Sequence, residues 1–248
     1  MTAAPLPLLE TRALCLRAAG RPLVQGLDWL VLPGQRWCVI GRNAAGKSTL
    51  LRALAGLAVP ERSGALLWMG RAQADWAPPD AAWVRALAPQ QSVDRFPISV
   101  QRLLALSTVR PGRLDLAQVL ADLDACELTH RGVRQLSGGE RQRIALAQCA
   151  MQGAPLMLMD EPVSFQDPAH QTLVARWLAA LVPVGGEAAL VASAHDVNWI
   201  ARTATHVLAL FGDGGWAAGL AGEMIQAKTL QRVYGCPWRE TGGVWVAD

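Results

Sequence analysis

At 248 residues the chain is long enough for one large core, or for one core with an inserted subdomain. The formal net charge is only +3, and the arginines are scattered rather than massed, which argues against a nucleic-acid partner. The composition is 52% hydrophobic with a mean hydropathy of +0.20, yet no apolar run approaches the ~18 residues of a spanning helix, so apolar surface left over for docking is expected instead. Met1 to Glu10 has neither a basic start nor a long apolar stretch, and no signal peptide is expected there. The cysteines at 15, 38, 126, 149 and 236 lie far apart without a CxxC pair, which reads as buried reduced thiols.

In chain order, residues 8–32 read as strands broken at Gly20-Arg21-Pro22 and at Gly26, an antiparallel opening. Arg36 to Ile40 is a short buried strand, and Ser48 to Gly56 carries leucines at 50, 51 and 54, which is helical spacing. Ala65 to Gly70 is strand-like, 71–82 reads as an Ala/Pro-rich loop, and Val84 to Ala88 is a further strand closed by Pro89-Gln90. From about 91 to 150 the pattern is helical: Leu103, Leu104 and Leu106, then Leu114 to Leu128, then Arg141 to Met151, with breaks at Pro111-Gly112 and Gly138-Gly139. Strand signals return at Leu156 to Met159, Ala188 to Ala192 and Val207 to Leu210, alternating with helical stretches at 168–181, 197–203 and 223–233. This alternation implies a mostly parallel sheet, so the expected class is α/β, with a helical block interrupting the core. The ten tryptophans, against one tyrosine, receive no role from the sequence alone.

Gly41-Arg42-Asn43-Ala44-Ala45-Gly46-Lys47-Ser48 fits the pattern G-x-x-x-x-G-K-[S/T]. Such a loop turns backbone N–H groups onto the α- and β-phosphates of a nucleotide, the Lys reaches the β- and γ-phosphates, and the hydroxyl ligates Mg²⁺. Lys47 and Lys228 are the only lysines, so the match is not an accident of composition. The flanking strand and helix start supply the context the motif needs, because a helix N-terminus favours an anion. Leu156-Met157-Leu158-Met159-Asp160-Glu161-Pro162 is an apolar strand that delivers two acids to its C-terminal edge, where one can support Mg²⁺ and the other can polarise a water. Leu136-Ser137-Gly138-Gly139-Glu140 opens a helix with bare N–H groups and a hydroxyl, a second anion-binding device in one chain. Two chains facing each other head to tail would use both.

That segment resembles the signature motif of the ATP-binding cassette family, and the resemblance extends over nearly the whole chain: phosphate loop, Gln90, residues 136–140, Asp160-Glu161, Asp167 and His195 follow in the family's order. It implies a RecA-like P-loop core with an antiparallel β-subdomain (1–90 and 151–248) and an inserted helical signature subdomain (91–150). It implies that Gly41 to Ser48 and Thr49 bind ATP, that Lys47 holds the β- and γ-phosphates, and that Ser48, Gln90 and Asp160 serve Mg²⁺. Glu161 would activate the attacking water, with Gln90 and His195 completing the catalytic set. Leu136, Ser137, Gly138, Gly139 and Glu140 would close over the partner chain's ATP, and Asp167 would sit at the dimer seam. Pro89-Gln90, Phe96-Pro97-Ile98-Ser99-Val100, Ala169-His170-Gln171, Ala194 to Asn198 and Leu230 to Gly235 make the chain look most like ATPase subunits of bacterial importers for iron chelates, haem or cobalamin. That implies a peripheral protein on the cytoplasmic face of the inner membrane, paired with a second cassette, a permease contacted near Phe96 and Ile98, and indirectly a substrate-binding protein. An exporter subunit, a non-transport cassette ATPase and a degenerate cassette are the alternatives. His130 and His206 read as surface or strand-end residues, and His170 as packing on a helix.

Three positions depart from the family pattern. Ala44 stands where glycine is usual, no aromatic lies near Arg17-Ala18-Ala19 to stack on adenine, and Phe165-Gln166 replaces a small residue and leucine before Asp167. Arg17, through its planar guanidinium, is the expected substitute at the base.

Overall fold

A computed structural model describes residues 5–90, 97–109 and 113–248. Gln91, Phe96 and the break at Pro111-Gly112 lie outside the described residues.

The chain opens as a hairpin, β1 (Leu9–Ala18) against β2 (Arg21–Val31), with Leu9 opposite Val31 and Ala18 opposite Arg21. Gly26 does not break β2. It takes φ +60 inside the strand, in the stretch where the register slips between Leu14 and Leu16, so the strand bends and continues. On its other side β1 pairs with β4 (Glu61–Trp68), which is extended by the short β5 (Arg71–Ala72) into a four-stranded antiparallel sheet of order β2-β1-β4-β5. Gly64 faces the β1 bulge at φ +85, and a Cβ there would lie 2.3 Å from the Ala13 carbonyl oxygen, so glycine alone fits.

The second sheet has six strands. β3 (Arg36–Ile40), β6 (Arg85–Ala88), β7 (Leu156–Asp160), β8 (Ala189–Ser193) and β9 (His206–Leu210) run parallel, and β10 (Trp216–Leu220) is antiparallel at one edge, in the order β10-β9-β3-β8-β7-β6. Every residue of β7 and β8 is buried, as expected of parallel strands covered on both faces. α1 (Lys47–Leu54) packs on β7 and β8 through Leu50, Leu51 and Leu54. α6 (Pro168–Leu181) and α7 (Val197–Thr203) pack on each other and join the apolar cluster over the sheet through Val174, Leu178 and Ile200.

The region expected as a loop at 71–82 instead holds a 3₁₀ turn at Gln73–Asp75 and α2 (Pro78–Val84). Pro78 is pre-set for a first helical position, Asp80 complements the helix dipole, and Ala81 and Val84, three apart, bury one face. Val84 therefore ends a helix rather than starting a strand. α3 (Val100–Ser107) and α4 (Leu116–Asp122) both pack on α5 (Gly138–Met151), which runs back to β6 and β7. One apolar cluster runs unbroken from Cys38 and Ile40 in the sheet to Leu104 and Val119 in these helices. The C-terminal helical stretch splits into α8 (Ala221–Met224) and α9 (Ala227–Tyr234), and β11 (Trp238–Thr241) with β12 (Val244–Ala247) forms a closing hairpin. Asn198 ties that hairpin down by bonding the backbone of Trp245 on both sides, Nδ2 to its carbonyl (3.0 Å) and Oδ1 from its N–H (2.8 Å).

Five of the ten tryptophans, at 29, 37, 68, 177 and 199, are buried in the core, while Trp83 is exposed. Trp37 meets Trp29 edge-on at 5.0 Å and stacks on His206 at 4.7 Å, while buried Trp68 and Trp199 donate their indole N–H to Leu54 O and Gln171 O. His206 starts β9, as its sequence position suggested, and burial lowers its pKa. All five cysteines are free, but only Cys38 and Cys149 are buried, where burial pushes each thiol up to about 12; Cys126 is exposed.

Gly64→Ala is expected to lower the unfolding free energy by about 2 kcal/mol or more, through both strain and collision. Urea unfolding should show a reduced midpoint with an unchanged slope.

Candidate nucleotide and catalytic site

The C-terminal ends of β3, β6, β7 and β8 bring the candidate residues together, the usual place for a ligand on an open parallel sheet. After β3 the chain enters the loop 41–46, in which Ala44 stands at φ +63 and Gly46 at φ +103. A Cβ on Gly41 would lie 3.0 Å from both Ala45 Cβ and Leu210 O, and one on Gly46 would lie 2.9 Å from Leu23 Cβ. Gly46 is fixed by this approach together with its left-handed φ, and a side chain at Gly41 would press on its neighbours. Ala44 occupies a left-handed position, at a strain of roughly 1–2 kcal/mol relative to glycine. Gly46 caps α1 without any side-chain bond, which leaves the first N–H groups of the helix pointing at the loop. Lys47 is buried, and its Nζ donates to Gly41 O (2.8 Å) and Arg42 O (3.2 Å). Burial lowers its pKa, opposed by the charges of Glu161 and Asp160.

The two acids are set by one hydroxyl that the sequence pattern does not mark as functional. Ser193, fully buried at the end of β8, donates to Asp160 Oδ1 (2.6 Å) and accepts from the Glu161 N–H (2.9 Å). Its only signal is a serine closing the otherwise apolar run Ala189 to Ser193. Glu161 then turns at φ +51 and gathers three partners: Gln90 Nε2 at 2.9 Å, Ser164 Oγ at 2.7 Å and His195 Nε2 at 2.7 Å. Burial pushes the Glu161 carboxyl up, but the bonds from Ser164 and His195 and the charges of His195 and Lys47 outweigh it and hold it below the usual carboxylate range. It is therefore ionised at neutral pH and able to accept a proton.

Asn43, Ala44, Gly46, Lys47, Ser48, Thr49, Gln90, Glu161 and His195 line one cleft of about 510 Å³, while buried Ala45 and Asp160 support it from below. Gly41 and Arg42 contribute the carbonyls that hold Lys47. The acid-bearing end is the phosphate end, so Ala18 and Leu23, the remaining lining residues, are left for the base. Arg17 does not take that place: its Nη2 donates to Gly20 O (2.8 Å) and its Nε pairs with Glu61 (3.5 Å).

A second cleft, of about 450 Å³, is lined by Ser137, Gly138, Gly139 and Glu140 together with Phe165, Gln166, Asp167 and His170. Ser137 caps α5, accepting from the Glu140 N–H while Glu140 accepts from the Ser137 N–H (2.7 Å), a reciprocal capping box. The Ser137 N–H is also the main cause holding the Glu140 carboxyl below its ordinary pKa. Leu136 is not in this cleft; half-buried, it packs on the apolar cluster. Phe165, exposed and at φ +64, lies over the glycine turn, with its carbonyl oxygen 3.0 Å from where a Gly139 Cβ would be. Asp167 caps α6 by accepting from His170 N–H (2.9 Å). His170 does more than pack on a helix: its ring bridges Asp167 Oδ2 (2.8 Å) and Asp124 Oδ2 (3.2 Å) at the cleft wall. The spacing Asp167-Pro168-x-His170, a cap followed by proline, is the legible signal. The two clefts share no lining residue.

A strand, a glycine-rich loop and a helix N-terminus shaped for phosphates, beside an ionised carboxylate, define a P-loop ATPase. The family model described as ABC transporter matches residues 24–164. The chain is 35% identical over 238 residues to the hemin import ATP-binding protein HmuV of Streptomyces coelicolor, spanning 93% of this chain and 84% of that one. It is also 35% identical over 243 residues to the HmuV protein of Bordetella pertussis, spanning 92% of each. Among solved structures, a metal-chelate type ABC transporter in an inward-facing conformation superposes with a TM-score of 0.77 at 22% identity, over 97% of this chain and 96% of that one. The chain belongs to the ABC transporter family, among its ATP-binding, ATP-hydrolysing subunits.

Glu161→Gln should lower kcat about 10²–10⁴-fold while leaving ATP affinity nearly unchanged, by steady-state hydrolysis and nucleotide binding. Because the Glu161 carboxyl sits below the usual carboxylate range, the wild-type rate should hold as pH falls towards that range and drop only below it.

Proposed function

We propose that this chain is the ATP-hydrolysing subunit of a bacterial importer for haem or a related iron chelate, acting as a pair of identical chains on the cytoplasmic face of the membrane. The observation that carries the reading is the separation of two anion-binding clefts on one chain. One has a phosphate loop and a base; the other has a helix N-terminus whose adjacent acid, Glu140, is tied up in the capping box. Head-to-tail pairing completes both, with the Asp167 turn at the seam. The importer class draws on the relatives named as hemin import proteins, and the separate transport partner on the fact that no helix among the described residues is long and apolar enough to cross a membrane. In this reading 1–90 with 151–248 is the core lobe and 91–150 the helical lobe. Ile98, partly buried, packs against the core cluster while Phe96 lies outside the described residues, and exposed Leu106 on α3 is a further apolar residue on that lobe for docking to the permease.

Mg²⁺ fits the first cleft. Ser48 and Gln90, which line it, and buried Asp160, close enough to act on Lys47, offer hard oxygen donors, as suits an ion held by one or two protein oxygens, phosphate and water. When bound, it neutralises charge at the β- and γ-phosphates. Lys47 and the N–H groups of the loop hold the phosphate chain. Glu161 takes a proton from the attacking water, and Gln90 and His195 hold its carboxylate in place. The partner chain's Ser137 and Gly139 donate to the γ-phosphate oxygens. Once that group leaves, these donors have no acceptor and the pair opens.

The test is to tag Glu161→Gln, solubilise native membranes in mild detergent with ATP and Mg²⁺, and identify the co-purifying proteins. A stoichiometric multi-span protein is expected; only soluble partners would contradict the transport reading. With alanine and leucine at the base end, ATP and GTP should be hydrolysed with kcat/KM values within about tenfold of each other, the aromatic stack worth about 1–3 kcal/mol being absent.

A further inference from the structure

Glu161 holds a backbone conformation that side-chain-bearing residues rarely adopt, φ +51, and such a turn persists only where its surroundings fix it. Its N–H is fixed by Ser193 Oγ at 2.9 Å. Its carbonyl accepts from Ser164 N–H within the same turn (3.1 Å) and from Gln142 Nε2 across 19 residues (3.2 Å). Gln142 is buried, and it sits on α5, the helix whose first residues form the second cleft. Gln142 is not among the residues lining the first cleft; its amide ends on the Glu161 backbone.

We propose that Gln142 is a positioning residue that ties the Ser137-Gly138-Gly139 turn of the second cleft to Glu161 of the first. α5 is one hydrogen-bonded helix, so a shift of its N-terminus on engaging the partner's nucleotide moves Gln142 with it, and Gln142 moves the Glu161 carbonyl. Each chain's base is thereby set by the occupation of its own second cleft, and the half-sites of a pair become coupled through the chain as well as across the seam. A misplacement of about 1 Å at a reacting group costs up to about 10²-fold in rate, which is the scale such a link can control. Because Gln142 stands outside the lining of the first cleft, its effect is expected on the position of Glu161 rather than on the contacts Lys47 makes to phosphate. The inference rests on the reading of the chain as an ATPase paired head to tail with Glu161 as its base.

The test uses the purified full chain with ATP and Mg²⁺. Gln142→Met keeps the side-chain length and removes the donor; Gln142→Glu keeps length and polarity and opposes an acceptor to the carbonyl. Both should lower kcat at least tenfold with KM for ATP within twofold of wild type. In a double-mutant cycle the effects of Gln142→Met and Ser137→Ala on log kcat should be less than additive, the double variant falling within threefold of the slower single variant. Should Gln142→Met fail to fold, Gln142→Glu carries the kcat and cycle measurements. A kcat within twofold of wild type, a loss carried by KM, or fully additive effects would overturn the proposal. Failure of the wild-type chain to hydrolyse ATP at all would instead overturn the functional reading beneath it.

Discussion

The site hangs on one hydroxyl. Ser193 at the end of β8 bonds the Asp160 carboxylate and the Glu161 N–H at the end of β7, and it is fully buried. Two adjacent acids on a strand end point to opposite sides of the sheet by default, since the side-chain period of a strand is two. The Ser193 bond and the left-handed turn at Glu161 break that alternation, so that Asp160 supports the cleft from below while Glu161 lines it. The rest of the cleft follows: Gln90 from the end of β6, His195 from the end of β8 and Lys47 from the start of α1 all converge on the position this bond sets.

The electrostatics of the cleft suit chemistry on a polyanion. Burial acts on both the ammonium of Lys47 and the carboxylate of Glu161 against their charged forms, and each helps hold the other ionised. A triphosphate entering here meets a fixed cation, a helix N-terminus and loop amides already turned inward, while the base stays charged. Phosphoryl transfer needs such positioning and preset charge more than covalent help.

Much of this is legible in the sequence, for physical reasons. The phosphate loop, the acid pair and the Ser-Gly-Gly helix start are local devices whose spacing is dictated by backbone geometry, and all fall where expected. The apolar parallel strands read well because burial on both faces leaves an uninterrupted run. The edge elements do not: β10 is Ala/Gly-rich, β11 and β12 are mostly exposed, and α2 hides behind prolines that are helix starters rather than breakers. What the sequence withholds in the site are the long-range polar contacts. Ser193, Gln142 and the bridge of His170 to Asp124 join residues 33, 19 and 46 apart, and local patterning marks Ser193 and His170 without their partners and Gln142 not at all. Arg17 misleads for the same reason, since Glu61, its partner, lies on a different strand.

Each working site, on this reading, is assembled from the first cleft of one chain and the second cleft of another. Mixing two disabled variants tests that directly. Lys47→Ala disables the first cleft and Ser137→Glu sets a carboxylate against phosphate in the second, so each variant alone should be inactive. In a head-to-tail mixed pair one of the two sites keeps an intact first cleft facing an intact second cleft. Combining the two inactive proteins should therefore restore measurable ATP hydrolysis, well below half of wild type because the base of the working site belongs to the chain whose own second cleft is disabled. A mixture as inactive as its components, with mixed pairs shown to form, would contradict the shared-site assembly.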